Sequence, residues 1–161
     1  MSRHTIDVQL EEPFGSRVQP EPLRRAADLT LRHQDVEETC ELAVVVSGDD
    51  TLRELNRRHR GVDAPTDVLA FPHQAKGPDF PFVDPPGFPH YLGDVIISFP
   101  RAEAQAEEAG NALLAELQLL VIHGVLHLMG YDDRSEPERT RMWRAQHAIL
   151  DEMGIEVRLP D

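Results

Sequence analysis

The stretch LQLLVIHGVLHLMGYDD, residues 117–133, decides how this chain is read. Leu120, Val121, Leu126 and Leu128 make it apolar almost all round a helix, which is the pattern of an element buried in a core. Two histidines interrupt that pattern. His123 and His127 are four residues apart, so on a helix they share one face at roughly 6 Å and both rings reach one cation. Gly130 ends the helix and turns the chain, bringing Asp133 back towards them. A lone histidine on such a helix reads as a satisfied core residue, whereas two at this spacing with a carboxylate beyond the glycine read as a metal tripod. Three protein ligands leave a fourth position open, as catalytic rather than structural zinc sites do. One zinc ion per chain is expected, and the carboxylate oxygen also suits another divalent metal such as manganese or iron. The competing role for Asp133 is to cap the helix of SEPERTRMW, residues 135–143.

HxxxHxxGxxD also has the spacing of metalloprotease helices, which carry a glutamate directly after the first histidine as general base. Here that position is Gly124, and Val125 and Leu126 follow it. Peptide hydrolysis by that route is disfavoured, while hydrolysis by a metal-activated water remains open.

HGVLHLMGYDD, residues 123–133, resembles the HGxLHLxGYDH signature of the YbeY family of bacterial endoribonucleases. LNRRHRGVDAPTDVLAFP, residues 55–72, is similar to that family's LNxxxRxxDxPTDVLSFP segment, and LGDVIIS, residues 92–98, to its LGDIVIS strand. The three blocks stand in the same order and span most of the chain after residue 40; the first forty residues carry no matching motif. Two positions depart from the pattern. Asp133 stands where the family has its third metal-binding histidine, and an anion there lowers the charge of the metal centre and its Lewis acidity. Ala70 replaces a common serine.

The resemblance implies metal-dependent cleavage of single-stranded RNA in ribosomal RNA maturation, notably at the small-subunit 3′ end, and in ribosome quality control. His123, His127 and Asp133 would hold the metal. Arg60 aligns with the family's arginine, and its planar fork suits a scissile phosphate, so the catalytic set is Arg60, His123 and His127. The residues leave the nucleophile open between water and the substrate's 2′-hydroxyl, and the lack of a general base favours metal hydroxide. Implied partners are ribosomal RNA and the ribosome or its associated proteins, with no DNA. Two other classes remain: a different zinc-dependent hydrolase such as an atypical metalloprotease, and a non-enzymatic metal-binding ribosome assembly factor.

Composition fits one cytoplasmic domain over residues 1–161. Cys40 is the single cysteine and excludes an intramolecular disulfide; in its apolar surroundings it reads as a buried thiol. The N-terminus has no apolar signal segment and no run approaches the roughly 20 residues of a membrane span. The net charge is −13, which counts against an extended nucleic-acid footprint. It does not exclude a local one around Arg53, Arg57, Arg58 and Arg60, the first three of which read as a solvated helix face.

The pattern predicts an α+β fold: a small mixed sheet of about four strands packed with about five helices, the central apolar one carrying the metal ligands. Strands are expected at Thr5–Leu10, 41–47, 67–71 and 94–99. A helix is expected over 20–34 with Leu23, Ala26, Ala27 and Leu31 inward, and another from a cap at Asp49 or Asp50 to about Arg58. After Pro100 come a polar helix to about Ala109, the metal helix, and a terminal one with Met142, Ala145, Ile149 and Met153 inward. The proline- and glycine-rich connection at 72–93 reads as a lid or substrate wall. Asp132 is expected either to orient a metal-bound histidine or to satisfy turn amides, and His73 and His90 flank the loop within reach of the site.

Overall fold

A computed structural model describes residues 4–73 and 89–158. The strands are β1 (Thr5–Leu10), β2 (Cys40–Ser47), β3 (Val68–Pro72) and β4 (His90–Ser98). The helices are α1 (Pro20–His33), α2 (Asp49–Arg60), α3 (Phe99–Ala109), α4 (Leu113–Leu128) and α5 (Glu136–Met153), with a 3-10 turn at Phe14–Arg17. This is the expected α+β architecture.

The sheet order is β1-β2-β4-β3, with β1, β2 and β4 parallel and β3 antiparallel to β4. Side chains alternate between its faces. Leu42, Val44, Val46, Val95 and Ile97 join α1, α4 and α5 in the main core, whereas Ile96 and Leu69 pack with Leu52 of α2. Helices therefore cover both faces of β2 and β4, and a near-continuous run such as CELAVVVS is the composition that requires. The inward residues expected of α1 are fully buried, as is the thiol of Cys40. No single helix among the described residues is long and apolar enough to cross a membrane; α3 and α4 pass such a test only as a pair bent by 117°.

Several boundaries differ from expectation, and both ends of α2 and of β4 do so for local reasons. Gly48 is the N-cap of α2, and Asp49 and Asp50 lie in its first turn, where carboxylates complement the helix dipole without capping it. Asp49 instead accepts a 2.7 Å hydrogen bond from Ser98. The helix continues to Arg60 and ends at Gly61, whose φ of 71° is the left-handed conformation of a C-terminal glycine. β4 begins at His90 rather than Asp94 because Gly93, at φ 141°, keeps the strand paired through an irregularity; a Cβ there would lie 2.2 Å from the Phe71 carbonyl. Phe99 has left the sheet to open α3, capped by the Ser98 hydroxyl. The lid expected of the 72–93 connection falls mainly on residues 74–88, outside the described residues.

Candidate metal centre

Gly124 sets how closely α4 approaches the sheet. A Cβ at that position would stand 2.5 Å from Cγ1 of Val95 on β4. The position that holds a glutamate in metalloproteases thus has no space for any side chain, so packing as well as composition removes the general base. With Gly124 against the sheet, His123 and His127 are half-buried and line a cleft of about 570 Å³.

The loop after α4 is held by several contacts. Gly130, at φ 100°, donates to the His127 carbonyl while Tyr131 donates to that of Leu126, the double bond of a Schellman ending. The Tyr131 hydroxyl donates to Gln34 at 2.9 Å, and Arg141 lies over its ring. Asp132 accepts from the Asp133 amide at 2.7 Å and pairs with Arg134 at 3.0 Å. Of its two expected roles, Asp132 therefore fills the turn-satisfying one. Ser135 caps α5, which frees Asp133 from the competing capping role.

The result is that ligand atoms of His123, His127 and Asp133 all lie within 4.8 Å of one another. The two histidine Nε2 atoms are 3.1 Å apart. Tetrahedral zinc, at about 2.0–2.1 Å from each nitrogen, would separate them by roughly 3.3–3.4 Å, so the two imidazoles fit a tetrahedral cation with little adjustment, and the exposed Asp133 carboxylate is near enough to turn towards it. Burial, reinforced by the neighbouring His123 ring, pushes the pKa of His127 below the ordinary imidazole value, and Asp133, a backbone hydrogen bond with Tyr131 and Asp132 oppose that shift. Low proton affinity keeps a nitrogen lone pair available to a metal.

Arg60, at the end of α2, lines the same cleft, as do Thr66, Asp67 and Arg134. Its position depends on Asn56, a buried residue of α2 whose amide donates to the Ala64 carbonyl at 2.9 Å and so fixes the path from α2 into β3. The other arginines of the helix are exposed, as expected, but they do not make the region positive. Arg53 pairs with Asp63, and Arg57 and Arg58 with Glu54. Among the described residues Arg60 makes no ion pair. His73 packs edge-on against Tyr91 and is not among the residues lining the cleft. His90 likewise does not line it. Ala70 does line the cleft, and nothing in the structure explains the alanine.

One contact was not foreseen from the sequence. Gln146 of α5 meets Nδ1 of His123 at 2.6 Å. The only trace of it in the sequence is a glutamine on the apolar stripe formed by Met142, Ala145 and Ile149.

A family model described as Endoribonuclease YbeY matches residues 11–154. A protein of Roseiflexus castenholzii named Endoribonuclease YbeY is 42% identical over 151 residues, 93% of each chain. One of Chloroflexus aurantiacus with the same name is 44% identical over 153 residues, 94% of this chain and 97% of its own. A solution structure of a Thermotoga maritima protein is similar at a TM-score of 0.55 and 26% identity, covering 93% of this chain and 92% of that one. A match of this length and identity, on a chain that gathers the signature histidines at one cleft, makes this protein a member of the YbeY family.

Proposed function

We propose that the protein is a metal-dependent endoribonuclease that cleaves single-stranded RNA during ribosomal RNA maturation in the cytoplasm, with zinc as the metal. The observation that carries this reading is the convergence of His123, His127 and Asp133 on a cleft that Arg60 also lines. The names of the relatives supply the class of substrate. Processing of the small-subunit 3′ end, ribosome quality control and contact with the ribosome or its proteins belong to the same proposal.

His123, His127 and Asp133 would hold the ion, which when bound supplies Lewis-acid polarisation of a phosphoryl oxygen and of water. Arg60 would grip the scissile phosphate by its planar fork and oppose the charge that grows on it in the transition state. Arg134, anchored on Asp132, adds a second cation at the rim. Gly124 offers no proton acceptor on α4, so among the described residues the carboxylates of the cleft are those of Asp67, Asp132 and Asp133. A cleft of about 570 Å³ gives room for an unpaired strand whose bases splay outwards, the form in which RNA sequence is usually read.

Cleavage of one RNA strand, alone and annealed to its complement, tests this reading when run beside a peptide panel with chelated and zinc-reloaded protein. The expected result is cutting of the single strand by the reloaded protein alone. Cutting undiminished by chelation would overturn the metal role. Cleavage of peptides instead of RNA would assign another hydrolase, and RNA binding without turnover an assembly factor.

A further inference from the structure

α5 buries Met142, Ala145, Ile149 and Leu150 against the core, and Gln146 sits among them at 9% exposure. Burying an amide costs free energy unless it is hydrogen-bonded, so a glutamine on this face calls for a polar partner. That partner is His123, through Nδ1 at 2.6 Å. The opposite nitrogen of the same ring, Nε2, faces Nε2 of His127. A neutral imidazole carries one N–H. For Nε2 to offer its lone pair towards His127 and Asp133, the proton must lie on Nδ1, and the Gln146 side-chain oxygen is placed to accept it.

We infer that Gln146 is a positioning residue that fixes the tautomer and ring orientation of His123 for metal binding. The inference rests on the proposed metal role of His123. The His127 ring instead donates to the Tyr131 backbone, so the two rings are held differently, and among the described residues that of His123 is the one held by a replaceable side chain. A neutral partner also matches the donor set. Asp133 already brings one negative charge to a divalent ion, leaving the centre cationic towards phosphate. A carboxylate at position 146 would bring the total close to neutral while making His123 a more basic ligand.

Two readouts test this on Gln146→Leu and Gln146→Glu. The first is zinc affinity, from competition with a chelating dye. Loss of the acceptor in Gln146→Leu should weaken zinc binding by roughly 10- to 100-fold, while Gln146→Glu, which keeps an acceptor, should bind at least as tightly as the parent. The second is the ¹⁵N signature of the two His123 ring nitrogens in the metal-free protein. The parent and Gln146→Glu should show the proton on Nδ1, and Gln146→Leu a mixture of tautomers. Parent-like affinity and tautomer in Gln146→Leu would overturn the inference, as would weakened zinc binding in Gln146→Glu. If Gln146→Leu fails to fold, the Glu variant and the parent spectrum still decide. A parent that binds no divalent metal yet shows the Nδ1 tautomer would strike the metal reading while leaving the contact itself intact.

Discussion

At the scale of single residues, the distinctive feature is a carboxylate beside the two imidazoles, where the proposed function needs its third ligand. Asp133 is exposed, yet its oxygen reaches the two half-buried imidazoles because Gly130, Tyr131 and Asp132 fix the loop that carries it. In a zinc competition titration Asp133→His should bind at least as tightly as the parent and Asp133→Ala more weakly; two variants indistinguishable from the parent would remove Asp133 from the ligand set. Arg60→Lys keeps the charge and loses the fork. Single-turnover cleavage should then fall by up to roughly 10²-fold, the cost of losing one well-placed electrostatic donor, with metal content unchanged. Arg53→Ala, whose parent side chain pairs with Asp63 away from the cleft, should leave the rate nearly untouched. Equal rates for Arg60→Lys and the parent would reduce Arg60 to a diffuse charge. The histidine pair was legible because its geometry is local to one helix. Gln146 was not, since it meets His123 across 23 residues by the packing of α5 on α4, which no periodicity encodes.

At the scale of elements, the contact of α4 with β4 governs where the site opens. Gly124→Ala puts a methyl group 2.5 Å from Val95. Overpacking of this kind costs roughly 1–3 kcal/mol, whereas helix propensity alone would make the same change stabilising by about 1 kcal/mol. The sign therefore discriminates. Thermal unfolding should show Gly124→Ala less stable than the parent, with part of the loss restored by adding Val95→Ala. A higher Tm in the single variant would mean that α4 does not depend on a side-chain-free surface there. The helices and strands were readable from period and capping signals, with errors at boundaries where tertiary contacts intervene. Asp49 was drawn from the cap by Ser98, and β4 runs past Gly93 because a glycine can accept the φ that keeps the strand paired.

At the scale of the whole molecule, a net charge of −13 surrounds a cleft with few cations. The arginine-rich helix was legible as a basic segment, and the pairs of Glu54 with Arg57 and Arg58 follow from its i,i+3 and i,i+4 spacing, but the pair of Asp63 with Arg53 was not legible because it forms only once the turn after α2 is made. With Arg60 and Arg134 as the cleft's cations, binding of single-stranded RNA should depend weakly on salt, with a log–log slope of roughly −1 to −2. A slope steeper than roughly −4 would reveal a basic surface beyond this cleft. The proposed function requires His123, His127 and Asp133 to gather one metal ion on which RNA cleavage depends. Its most direct test pairs elemental analysis with single-turnover cleavage of single-stranded RNA for the parent and His127→Ala. The parent should hold about one divalent ion per chain and cut, and His127→Ala should lose both the ion and the cutting while keeping its fold. Full metal content and full cleavage in a folded His127→Ala would show that His127 neither holds the ion nor serves the reaction.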